Sequence, residues 1–433
     1  MNRTHGRVVA LGVVAAVAVV LTGCQSLDAP QSGASDDPGT FTVGFVTPLT
    51  GALAAFGEPD RWVVDELQSW FDEHPLEVGG DEVAVDIRLE DSGSTADGAS
   101  QAAQKLLAAG ADVLLAHATP ETTVPVSLQC IDAGVPCITA DTPLEPWALS
   151  VHGASSPAEL ADKEPLAWVH HFFWGLGDIA TVYQDIWTQV DTNKKVAGLF
   201  PNDPDGQAWS GALPGIFEGS GNGYTLDVPT LYDPGTTDFT SIINTFKANG
   251  DEILTGVVPP PDFAAFWQQA QQQGWTPKVV SMAKAIEFPA AIAAFDDPIG
   301  FTTEVWWTPT APFSSSLTGQ SAGDLASAYE DATGKQWTVA LGFSHALFEV
   351  LVAAIDSAGS TNGADIDTAV GALAIDSIVG PLDFTAGPYP NTAASPLVGG
   401  QWVEGDRFPY DLVVVANSTA PEIPLGGQVQ PLQ

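Results

Sequence analysis

Residues 111–118, ADVLLAHA, and 134–141, GVPCITAD, decide the fold. Each is a short, almost continuous apolar run that stops at polar residues. A strand that is apolar on both faces must be covered on both faces, which is the situation of a central strand in a parallel sheet. The same theme extends outward in both directions. Upstream, FTVGFVTPL (41–49) reads as a strand ending in a Pro/Thr/Gly loop. RWVVDELQSWFDEH (61–74) follows as an amphipathic helix, with Trp62, Val63, Leu67, Trp70 and Phe71 at helical spacing. VAVDIRLED (83–91) alternates as a strand does, and ASQAAQKLLAAG (99–110) is a helix stopped by Gly110. Downstream, KVAGLFPND (195–203), DEILTGVV (251–258) and PKVVSMA (277–283) repeat the strand pattern, with helices between them. Alternating strands and helices predict doubly wound α/β sheets.

Ligands of such sheets sit beyond the carboxyl ends of the strands. Those ends read Thr47-Pro-Leu-Thr-Gly, His117-Ala-Thr-Pro-Glu-Thr-Thr, Thr139-Ala-Asp-Thr, Pro201-Asn-Asp-Pro-Asp-Gly and Val258-Pro-Pro-Pro-Asp. Each taken alone is ordinary turn and helix-cap chemistry, since Ser, Thr, Asp and Asn favour those places. Five at corresponding strand ends favour a binding cleft.

The amino terminus has a separate grammar. Arg3, His5 and Arg7 precede an apolar run from Val8 to Leu21 of about 14 residues, short of the ~20 a spanning helix needs. It reads as the h-region of an export signal, and Leu21-Thr22-Gly23-Cys24 reads as a lipobox with Cys24 as the lipidated residue. No other stretch is expected to be long and apolar enough to cross a bilayer. Residues 25–40 are rich in Ser, Asp, Pro and Gly and form a flexible tether. These features place the protein on the extracytoplasmic face of the cell membrane, held by its lipid anchor.

The 433-residue chain carries 13 Lys and Arg against 53 Asp and Glu. Loss of Arg3 and Arg7 with the signal leaves 11 against 53, a net charge near −42. Nucleic acid is excluded as a partner, because phosphate contacts need clustered Lys and Arg. The length after the tether predicts two domains. Cys130 and Cys137 are close in sequence in an exported chain, which predicts a disulfide between them. The pattern has no GxSxG, GxxxxGK[ST], HExxH or CxxC, so neither a cofactor nor a metal is expected. The adjacent His170 and His171 would diverge on a helix, and His117 and His345 stand alone.

In order, TPLTGALAAFGE (47–58), CIDAGVPCIT (130–139), GTTDFTSIINTFKANGDEIL (235–254) with QQAQQQGWTPKVV (268–280), and VGPLDF (379–384) resemble the leucine/isoleucine/valine-binding protein family. These are type I periplasmic binding proteins of ABC importers, and the likeness spans residues 41 to 416. The resemblance implies a non-enzymatic protein of two α/β lobes joined by a three-stranded hinge, which closes on a ligand. One lobe would hold 41–174 and 304–376, the other 178–303 and 377–418, with 419–433 as a C-terminal tail. It implies that Phe56 covers the ligand's side chain, and that Thr119, Thr122 and Glu121 occupy the loop that offers hydroxyls to a ligand carboxylate. Asp141 and Thr142 match the next loop. Trp174 stands in the first crossover where the family often has arginine, followed by Asp178; Trp306 borders the second. Asp205 falls in a loop where the family has tyrosine. Lys284 falls where the family has an acid that grips an amino group. That departure argues against a plain branched-chain amino acid; Lys284 would either meet an anionic or carbonyl group on the ligand or pair with Asp141, Asp178, Asp205 or Glu287 and merely hold the lobes.

The function implied is an extracytoplasmic substrate-binding lipoprotein of an ABC importer, partnered by permease and ATPase subunits. Its ligand would be a small polar compound: an amino acid, an amide or a carboxylate. The rival classes are a membrane-tethered sensor of the same fold and an exported enzyme, for which no nucleophile or metal motif speaks.

Overall fold

The strand Val113–Ala116 is wholly buried and pairs in parallel on both sides, with Phe41–Thr47 and with Cys137–Ala140. Coverage on both faces is why its four residues need no polar alternation. The sheet around it runs, in spatial order, Val85–Asp91, Phe41–Thr47, Val113–Ala116, Cys137–Ala140, Val169–Phe173 and Thr392–Ala394, every pair parallel. The computed structural model describes residues 39–432, so Cys24, the signal and nearly all of the tether lie outside the described residues.

A second sheet repeats the plan. Thr225–Asp227, Lys195–Leu199, Ile253–Val257, Val279–Ala283 and Thr302–Val305 are parallel neighbours. Val398–Glu404 and Tyr410–Ala416 complete it as antiparallel strands. In both sheets the first strand in the chain lies between the second and the third. The strand order therefore reverses at one point in each sheet, which leaves a crevice beyond the carboxyl ends there.

Helices cover the sheets because their apolar stripes have nowhere else to go. Asp60–Glu73 buries Val63, Leu67 and Phe71, each contributing about 1.5–3 kcal/mol. The helix Ala340–Ala358 corrects one expectation. Its 19 residues have a mean hydropathy of 1.4, long and apolar enough by composition to cross a membrane. Here it is a core helix, packed against the strand Cys137–Ala140 and the helix Asp60–Glu73.

The chain passes between the sheets three times. Val169–Phe173 belongs to the first sheet, and the helix after it, Leu176–Thr188, packs on the second. Thr302–Val305 belongs to the second, and Ala340–Ala358 packs back on the first. The third passage lies at 395–397 and not at 376, because Thr392–Ala394 pairs with Val169–Phe173 in the first sheet. Residues 374–383 instead form a hairpin, Ala374–Ser377 with Gly380–Asp383. The C-terminal residues are bound to the second sheet: Gly426 N donates to Val414 O, Gln430 N to the side-chain oxygen of Gln401, and Leu432 N to Lys278 O.

The expected disulfide is not formed. Cys130, in the last turn of the helix Pro120–Ala133, and Cys137, opening the next strand, are free thiols. Both are fully buried. Burial and the neighbouring Cys137 thiol push Cys130 well above the ordinary thiol range, and a buried protonated thiol is a poor nucleophile for exchange.

Candidate functional site

The carboxyl ends of the two sheets converge on one narrow cavity, with about 20 Å³ of free space, room for about one water. From the first lobe come Phe56, Thr119, Asp141 and Pro143; from the second, Asp205, Trp209, Val257, Lys284 and Glu287. Phe173 and Trp174 border the first crossover, and Glu304 and Trp306 the second. Not all of the sequence-predicted site residues reach the cavity. Phe56, Thr119, Asp141, Trp174, Asp205, Lys284 and Trp306 line it. Glu121 stands at its edge, with a carboxylate oxygen 4.0 Å from Lys284 Nζ.

Three expected residues do other work. Thr122 Oγ1 accepts from Thr119 N at 3.2 Å, closing the first turn of Pro120–Ala133. Thr142 Oγ1 is 2.9 Å from Thr123 Oγ1, tying the strand end to that helix. Asp178 accepts from Gly175 N at 2.9 Å and caps Leu176–Thr188. Each sits within three residues of the strand-to-helix turn, where a capping side chain and a ligand contact have the same residue type.

The backbone is bent to make the site. Ala118, Asp141 and Lys284 have φ of 114°, 66° and 62°, each at the carboxyl end of a strand. Such conformations cost of order 1–3 kcal/mol outside glycine and gather at functional sites. The loop before Trp209 depends on Gly206, where a Cβ would lie 1.9 Å from Pro201 O. Asp203 then caps the helix Pro204–Ser220 by accepting from Gly206 N at 2.8 Å.

Two charged clusters flank the cavity. In the first lobe, fully buried His117 places Nδ1 2.6 Å from Asp141 and Nε2 2.7 Å from Asp60. Asp60 also accepts from Ser344 Oγ at 2.5 Å and from Thr47 Oγ1. Burial opposes the imidazolium, but the two carboxylates outweigh it and raise His117 to about 10. Burial holds Asp141 up at about 6 despite the cation beside it. In the second lobe, Lys284 makes an ion pair with Asp205, and Glu287 accepts from the Lys284 backbone N–H. Burial opposes the Lys284 charge, yet Asp205, Glu121 and Asp203 together raise its pKa. One ammonium serves three carboxylates, so burial and the charges of Glu121 and Asp203 push Asp205 up to about 7. Burial and the facing Glu304 push Glu287 well above the usual carboxylate range. Glu304 in turn accepts from Tyr183 Oη at 2.5 Å.

Between the clusters runs an aromatic wall. Phe56 stacks on Trp306 with centroids 5.7 Å apart, Phe173 meets Trp306 edge-on at 5.1 Å, and Trp174 meets Trp209 edge-on at 6.1 Å. The sequence reading missed Pro143, Trp209, Val257 and Glu304. Trp209 lies within five residues of Asp205, the signal that could have found it. Thr47, His117 and Asp141 form a hydroxyl–imidazole–carboxylate line, but Thr47 is wholly buried and donates to Asp60. Among the described residues no His, Cys, Asp and Glu cluster is arranged to hold a metal.

Two doubly wound lobes, three crossovers and a cavity at the facing strand ends define the class of two-lobed α/β binding folds. The chain belongs to the periplasmic binding protein family, whose model matches residues 40–406. Its fold is similar to a leucine-binding protein of Thermotoga maritima MSB8, with a TM-score of 0.70 at 16% identity over 88% of this chain and 99% of that one. A branched-chain amino acid transporter substrate-binding protein of Streptococcus pneumoniae, in complex with isoleucine, gives 0.67 at 13% over 87% and 99%. A solute-binding protein of Rhodopseudomonas palustris BisB5, in complex with 3,4-dihydroxybenzoic acid, gives 0.67 at 16% over 89% and 99%. A comparison with curated protein sequences gives no match.

Proposed function

We propose that this chain is the extracytoplasmic substrate-binding lipoprotein of an ABC importer. Lipid on Cys24 holds it at the outer face of the cell membrane. The two lobes close on a small organic ligand, and the closed form docks on a permease driven by its ATPase subunits. The observation that carries this reading is the cavity itself. Its walls come from both lobes at both switch points, and the residues that border two of the crossovers, Trp174 and Trp306, are part of the wall. Rotation about the crossovers therefore opens and closes the site, the hinge motion expected of such lobes.

The anchor is tested by Cys24→Ser. The variant is expected to leave the membrane fraction or to accumulate as unprocessed precursor, while the lobes keep their fold. Mass spectrometry of the wild-type protein should find residues 1–23 removed and Cys24 carrying lipid. An intact, unlipidated amino terminus on the mature protein would remove the anchor from this reading.

A further inference from the structure

We infer that the ligand of this cleft is a small organic cation, a protonated amine or quaternary ammonium on an apolar body, and not a carboxylate or an amide. This rests on the reading of the cleft as a ligand site and adds the class of ligand.

The charges around the cavity do not balance. Lys284 is the one basic side chain on the cavity wall, and it is already held by Asp205, with Glu121 at 4.0 Å. His117 lies behind Asp141 and is enclosed by Asp141 and Asp60. Facing these two cations are the carboxyl groups of Asp60, Asp141, Glu121, Asp203 and Asp205, and then the pair Glu287 and Glu304. Taking a carboxylate out of water without a counter-charge is costly, so the site retains protons that a better partner would displace. A cation in the cavity supplies the missing charge, whereas an anion adds to the excess. An amide leaves it unchanged.

Unpartnered atoms point the same way. Asp141 Oδ1 and Glu287 Oε2 are buried and have no hydrogen-bond partner, and their residues are only 3% and 1% exposed. One belongs to each lobe, and both line the cavity. A cationic N–H donor or ammonium between them would be held by both lobes at once, which ties its capture to closure. The rest of the wall suits the same guest. Aromatic faces attract cations, tryptophan most strongly, and Trp174, Trp209 and Trp306 all border the cavity. Their indole N–H groups lack acceptors. A neutral hydroxyl or ether oxygen on the ligand satisfies such donors without bringing another carboxylate into an acidic wall.

The test is calorimetry of the full-length protein in detergent with matched pairs that differ by a carboxylate: ethanolamine and serine, putrescine and ornithine, phenethylamine and phenylalanine, choline and glycine betaine, with 4-hydroxybenzoate as an anion. We expect at least one of the four cations to bind about tenfold or more tightly than its carboxylated partner. Binding should release protons and strengthen from pH 5.5 to 8, as Asp141 and Asp205 lose theirs. Asp141→Asn, which keeps a residue at ease in the left-handed conformation, and Glu287→Gln should each weaken that cation by about 30-fold or more, the usual effect of losing one partner of a buried charged contact. Tighter binding of the amino acids, the betaine or 4-hydroxybenzoate would overturn the cation class while leaving the binding-protein reading in place. Failure of all four cations to bind would also overturn it. Lobes that stay unmoved by any bound compound would instead count against the binding-protein reading itself.

Discussion

His117→Ala is expected to lower the unfolding free energy by about 3–5 kcal/mol, the cost of removing one partner from a buried charged set. The substitution leaves Asp60 and Asp141 facing each other across an emptied site, with Ser344 and Thr47 still bonded to Asp60. Urea denaturation measures it as a lower midpoint at unchanged slope. The pH dependence gives a second signature with a defined sign. The folded-state value of His117, about 10, lies above its ordinary 6.5. Its contribution is therefore complete below pH 6.5 and disappears as the pH rises through 10. The wild-type protein should lose stability between pH 7 and 10, and His117→Gln should lose far less over that interval. Equal alkaline losses in the two proteins would show that the imidazole is neutral.

Lys284→Met is expected to have a comparable effect, about 3–5 kcal/mol, because it removes the single ammonium that Asp205, Glu121 and Asp203 share. The double variant Lys284→Met with Asp205→Leu should recover a substantial part of the loss, since an ion pair replaced by apolar groups is often close to neutral. Thermal denaturation of the two single variants and the double variant supplies the coupling. Additive losses would mean that Lys284 and Asp205 do not act as a pair. The outcome also bears on what the site accepts. The sequence left Lys284 either to an anionic ligand or to an internal acid, and its charge is held by Asp205.

Most of the scaffold could be read from local pattern. ADVLLAHA and GVPCITAD are central parallel strands because nothing in them needs water, and RWVVDELQSWFDEH packs by the Val63, Leu67 and Phe71 stripe that its spacing announced. The chemistry of the cleft was less legible, because it depends on residues distant in sequence. His117 meets Asp60 across 57 residues and Asp141 across 24, and Tyr183 reaches Glu304 across 121. No spacing rule connects such positions, so His117 looked isolated. At Thr122, Thr142 and Asp178 the same residue types tie and cap local structure, which composition alone does not separate from a ligand contact. The misplaced third crossover has a similar cause. Ala374–Ser377 and Gly380–Asp383 carry strand-like composition, but they pair with each other and join neither large sheet.

If the two lobes trap a small molecule by closing about the crossovers, small-angle X-ray scattering should see it when the protein is titrated with a compound that raises its melting temperature. The radius of gyration should be smaller at saturation than in the free protein, with the change following the calorimetric binding curve. A radius that stays constant through saturation would contradict it.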